Sequence, residues 1–128
     1  KLAEVPVAAL VTKDDVIGFR EFKGAFAENY VLQSLSTQST VNLRYWTSNN
    51  SAEVDFLLQY DTHILPIEVK SGKSTSSRSL TLYNAEKHPI LRIRYSDKEL
   101  KLDDNLLNIP LYMADWTFAL LDRVIASL

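Results

Sequence analysis

Cysteine is absent from the 128 residues, which excludes disulfides and thiolate metal sites. Any metal must therefore be held by oxygen or by one of only two histidines. Those two, His63 and His88, have no partner at ligand spacing and are expected at the surface. No apolar run approaches the ~20 residues that a membrane span requires. No secretory leader pattern opens the chain. No membrane association is expected, and a cytoplasmic location is the default expectation. Repeats and low-complexity tracts are absent. There is also no G-x-x-x-x-G-K-[ST] loop, so an ATP-binding P-loop is excluded from these residues.

A strong charge of either sign is lacking too: the net charge is -2, which does not by itself signal nucleic-acid binding. The distribution is less even. Residues 1–67 hold 5 basic and 8 acidic side chains, and residues 95–128 hold 3 and 6. Between them, residues 68–94 hold 6 basic and 2 acidic side chains. A basic segment of this kind can hold phosphate on an acidic protein, although uneven charge on a solvated surface gives the same count. Within the segment, Ser71-Gly72-Lys73 and Arg78 are the candidate nucleic-acid contacts.

What the chain does have is ordinary core material, 46% hydrophobic and 23% charged, in a length that fits one domain. Residues 1–20 read as an N-terminal arm or the remnant of a preceding domain, and 21–128 as the domain itself. The first residue is Lys1, so a longer parent chain is expected. The segment 1–12 is apolar and suits a short helix or arm. Lys23 to about Gln38 has helical spacing through Ala25, Glu28, Leu32 and Leu35. Val41–Trp46 reads as a strand, with Tyr45 and Trp46 as packing residues. Glu53–Tyr60 and His63–Lys70 read as two strands joined by Asp61-Thr62. A weaker helix near 77–86, a strand at 89–95, a strand at 106–113 and a closing helix at 116–127 follow. Pro110 argues for an edge position of the 106–113 strand. The order is helix, three strands, helix, strand, which predicts an α/β fold with a mixed sheet and flanking helices.

The hairpin places the charges. With Tyr60 opposite His63, Asp55 pairs with Glu68 and Glu53 with Lys70. Side chains two apart share a face, so these four share one face. Val54, Phe56, Leu58, Leu65, Ile67 and Val69 form the buried one. A slip of one residue would bury charge and expose the apolar set. Opposed Cβ atoms lie ~4.5–5.5 Å apart, close enough for Asp55 and Glu68 to share a cation. Two carboxylates so close need a proton or a cation between them. Lys70 supplies part of that charge, and Mg²⁺, which favours carboxylates, waters and phosphate, suits the rest. Glu53 alone is better read as a solvated partner of Lys70. Glu28 falls inside the apolar arc of its helix, where a carboxylate needs a partner: a cation, or a tyrosine or arginine.

Glu28 on a helix, then Asp55, then Glu68-Val69-Lys70, resembles the PD-(D/E)XK nuclease superfamily. The segments AFAENYV, RYWTSNNSAEVDFLL, LPIEVKSGKS and LLNIPLYMAD are similar to an uncharacterised domain at the C-terminal end of many prokaryotic AAA+ ATPases. The resemblance spans about residues 20–115 and implies a restriction-endonuclease-like core. It implies Asp55, Glu68 and the Val69 carbonyl as ligands of Mg²⁺ or Mn²⁺. Lys70 would orient or activate a water, and Glu28 would bind a second ion or a metal-bound water. The implied reaction is hydrolysis of a DNA phosphodiester, with an ATPase domain upstream in the same chain. Val54 stands where the superfamily name has proline. The competing expectation is a non-catalytic regulatory or docking domain of the ATPase.

Overall fold

A computed structural model describes residues 13–38, 43–47, 53–72 and 77–128, with backbone alone for 13–22, 43–47 and 53. The elements run α1 (Lys13–Gln38), β1 (Leu43–Thr47), β2 (Glu53–Tyr60), β3 (His63–Val69), α2 (Arg78–Lys87), β4 (Arg92–Ser96), β5 (Lys101–Asp103), β6 (Leu106–Pro110), a 3₁₀ helix (Leu111–Trp116) and α3 (Thr117–Ala126). The six strands form one sheet in the order β1-β2-β3-β4-β6-β5. Its pairs β3–β4 and β4–β6 are parallel, and the others antiparallel. The expected mixed sheet with flanking helices is present. Residues 1–12 lie outside the description.

Two aspartates make the tight turns. Asp61 (φ 53°) opens the β2–β3 turn and Asp104 (φ 54°) the β5–β6 turn. Aspartate tolerates this left-handed conformation because its short side chain bonds locally. The first turn sets the anticipated register: Tyr60↔His63, Leu58↔Leu65 and Phe56↔Ile67 are direct partners. Pro66 sits opposite Leu57, a position whose nitrogen faces away from β2. On that other side, β4 pairing starts only at Ile67↔Ile93, so the missing N–H breaks no ladder bond.

Two layers of helix cover the sheet. Ala27, Val31 and Leu35 of α1 pack with Phe56, Leu58, Leu65, Ile67, Val69, Ile93, Tyr95, Leu107 and Ile109, joined by Ala114 and Leu121. On the opposite face, Leu80 and Tyr83 of α2 pack with Val54, Leu57 and Leu106. The end of α1 is tied down by Gln38, whose Nε2 donates to the Ala114 carbonyl (2.9 Å) and whose Oε1 accepts from the Phe118 N–H (3.1 Å). Tyr95, fully buried, bonds through its hydroxyl to Thr117 Oγ1 at 2.7 Å.

Several expectations are corrected. The helix expected from Lys23 begins at Lys13. The buried stripe of α1 is Ala27, Val31, Leu35 and Ser34, while Ala25 is exposed. Val54 leaves the face of Phe56 and Leu58 for the α2 side, because the pairing with β1 shifts register between Arg44↔Leu57 and Trp46↔Val54, and an extra residue in β2 reverses the alternation. The strand expected over 106–113 stops at Pro110, and Leu111–Trp116 is 3₁₀ helix. That strand is internal, between β4 and β5. Proline is accommodated there because the three-residue β5 reaches only to Asn108 on its partner.

Candidate metal centre

The β2–β3 ladder ends at Phe56↔Ile67, one step before Asp55 and Glu68 would face each other. The next β3 N–H pointing toward β2 belongs to Val69, and it donates to Asp55 Oδ2 at 2.7 Å. A side-chain carboxylate thus replaces the backbone carbonyl that a continuing ladder would supply. On the other side of β3, the Lys70 N–H continues the parallel pairing by donating to the Tyr95 carbonyl (2.8 Å). β3 therefore stays with β4 while β2 parts from it, and Asp55 occupies the fork.

Asp55 gathers the other acids. Glu28, half-buried on α1, hydrogen-bonds Asp55. Its carboxyl is pushed above the usual range, first by burial and then by the charge of Asp55. Glu68 is 7% exposed. Its pKa is also raised: burial outweighs the attraction of Lys70, Asp55 repels, and a hydrogen bond from Ser77 partly compensates. Lys70 Nζ lies 3.3 Å from Glu68 Oε1. The second oxygen, Oε2, is buried with no hydrogen-bond partner. An orphaned carboxylate oxygen is costly, and the donor set around it is hard oxygen, the chemistry that Mg²⁺ or Mn²⁺ accepts.

Four expected residues, Glu28, Asp55, Glu68 and Lys70, are thus linked in one cluster, with Val69 joined through its N–H. Arg78 is exposed at the start of α2, next to Ser77. Lys73 lies outside the described residues, as does the Glu53 side chain, so its expected pairing with Lys70 does too. Among the described residues, no three acids or histidines sit close enough to ligate one ion together. Mg²⁺ needs only one or two carboxylates when waters and phosphate complete its shell. His63 is half-buried and His88 exposed, and both line a small cleft beside the β2–β3 turn, away from the acids.

Sequence reasoning missed Ser77 and Arg94. Ser77 precedes α2 but makes no side-chain cap; its hydroxyl instead serves Glu68 and accepts from Arg94 Nη1 at 3.2 Å. A serine just before a helix reads as a cap, so no local signal marked its role. Arg94 is the register partner of Glu68 on β4, which only the parallel pairing reveals.

A family model for a domain of unknown function (DUF4143) matches residues 23–113. The chain belongs to that family. The match takes in Glu28, Asp55, Glu68 and Lys70, and stops before α3. No curated protein matches the chain. No helix among the described residues of this DUF4143 domain is long and apolar enough to cross a membrane.

The raised carboxyls predict a pH effect. Glu28 and Glu68 hold protons more tightly in the folded state than at their ordinary value of 4.5. Between that value and the raised ones, the folded state binds more protons, so stability falls as pH rises. Urea midpoints of the metal-free protein should decline upward from pH 4.5, and less steeply in Glu28→Gln. A midpoint that climbs through this window would contradict the assignment.

Proposed function

We propose that this domain is a metal-dependent phosphodiesterase of the PD-(D/E)XK type, hydrolysing DNA as the C-terminal part of an AAA+ ATPase. The observation that carries the reading is Glu68 Oε2, buried and unpartnered beside Asp55 and Lys70. In this reading Asp55 and Glu68 hold Mg²⁺ or Mn²⁺, aided by the Val69 carbonyl. Glu28, hydrogen-bonded to Asp55, would hold a water or a second ion. The bound ion would polarise the phosphoryl oxygen and lower the pKa of its water. Lys70, held 3.3 Å from Glu68, sets a positive charge where negative charge develops on phosphate. The +4 excess of residues 68–94, from 6 basic and 2 acidic side chains, favours the approach of a polyanion.

The test is plasmid nicking in Mg²⁺ or Mn²⁺ against EDTA, with a melting curve for each. At a hundredfold excess over Kd, binding adds about 2.7 kcal/mol of stability, a rise in Tm of several degrees. No rise and no nicking by the intact protein would sink the proposal. They would favour the second reading, a non-catalytic docking or regulatory domain of the ATPase. One observation supports that reading: among the described residues no three acids or histidines are gathered for one ion.

A further inference from the structure

The sheet register carries a row of polar residues away from the acid cluster. Glu68 on β3 pairs with Arg94 on β4, Arg94 with Asn108 on β6, and Asn108 with Lys101 on β5. Register partners point to the same side of a sheet. That side is the α2 side, since Leu106, two residues before Asn108, packs with Leu80 and Tyr83. α2 itself packs on β2 and β3. Beyond it lies a cleft of about 440 Å³ lined by Arg94, Asp97, Lys98, Glu99, Lys101 and Asn108.

The floor of this cleft is built. Asn108 is 4% exposed. Its Oδ1 accepts from Arg94 Nε (3.0 Å) and Ser96 Oγ (2.6 Å). Its Nδ2 donates to the carbonyls of Lys98 (3.1 Å) and Glu99 (2.9 Å). One buried side chain thus fixes both Arg94 and the loop that carries Lys98. Arg94 also reaches Ser77, which serves Glu68, so hydrogen bonds link the floor of the cleft to the acid cluster. Strands are ~4.8 Å apart, which sets Lys101 ~14 Å from Glu68, the axial length of roughly four base steps at 3.4 Å each.

We propose that this cleft is the track for the cut strand: Arg94, Lys98 and Lys101 hold phosphates of a nucleic-acid backbone to one side of the scissile bond. The inference rests on the nuclease reading. It adds which face of the domain the strand crosses. Three cations against Asp97 and Glu99 leave the cleft +1, which offsets the charge of one phosphate. Lys98 and Lys101 are both exposed and free to be changed without disturbing the core.

The experiment is fluorescence anisotropy of a labelled 20-mer, single-stranded and duplex, in Ca²⁺ with the oligonucleotide recovered intact. Lys98→Ala/Lys101→Ala should raise Kd about tenfold and reduce the slope of log K against log salt by about 2 for the duplex. Arginine at both positions should restore binding. Lys87→Ala, exposed at the far end of α2, should change neither quantity. The Mn²⁺ melting shift should be the same in all variants. If the parent binds and the double alanine variant matches it in Kd and slope, the track is overturned while the nuclease reading stands. If the parent binds neither oligonucleotide, both are overturned.

Discussion

Glu68→Ala is expected to lower metal-dependent nicking by at least about 10²-fold and to abolish the Mn²⁺ melting shift. Removing the carboxylate deletes the orphaned oxygen Oε2 and, with it, one of the two acids proposed to hold the ion. Lys70→Ala should separate the two effects. Its ammonium contacts Glu68 and is not a ligand. The melting shift should therefore persist while turnover falls by on the order of 10²–10³-fold, the usual cost of losing one preorganised charge beside a developing anion. Folding is not the hidden variable. Glu68→Ala removes a desolvated charge whose pKa is raised by burial, so the metal-free variant should melt no lower than the parent. Nicking at the parental rate in either variant would place the chemistry elsewhere.

The largest stability effect is expected from Ile67→Ala. Ile67 is fully buried at the centre of β3. It has Phe56 beside it on β2 and Ile93 on β4, and rigid strands on both sides cannot collapse into the space left. Deletions of this kind cost about 2–5 kcal/mol, against a total of roughly 5–15 kcal/mol for a domain. Urea unfolding should show a lower midpoint at unchanged m-value. A loss under ~1 kcal/mol would mean that β3 is not the centre of the sheet. The variant also separates structure from site: the Mn²⁺ shift should survive at low temperature, since no side chain of the cluster is altered.

The cluster was legible in the sequence where local rules govern it. Alternation along 56–60 and 63–69 set the face of each residue, and the two-residue turn set the register, so Phe56↔Ile67 follows from the chain alone. That Glu28 needs a partner was legible from its place in a helix stripe, but the partner expected was a cation, a tyrosine or an arginine, and the structure gives it Asp55, a second carboxylate. The reading failed where one element departs from its own pattern. Asp55 does not face Glu68 across a ladder, because the ladder has ended and Asp55 bonds the Val69 N–H. Val54 likewise turns to the α2 side. Pro110 suggested an edge, but the shortness of β5 frees an internal strand to end in proline. Ser77, Arg94 and Asn108 depend on parallel pairing across α2, which no spacing within one segment encodes. Arg92 and Arg94 are both half-buried on asparagine acceptors, Asn105 and Asn108, which the strand pattern alone does not reveal.

The fork between β2 and β3 also orders the assembly of the domain in time. Tyr60 to Phe56 and His63 to Ile67 form a local hairpin, and hairpins close in ~1–10 μs. Asp55 and Glu68 are delivered to one end of it early. The parallel partners Ile93, Arg94 and Tyr95 can dock only after the chain has crossed over through α2, and such non-local pairings form slowly. During that interval two carboxylates sit at an open strand end without the β4 wall that later dries Glu68. If these carboxylates are ligands as proposed, a divalent ion present during refolding would meet them before the site closes around them.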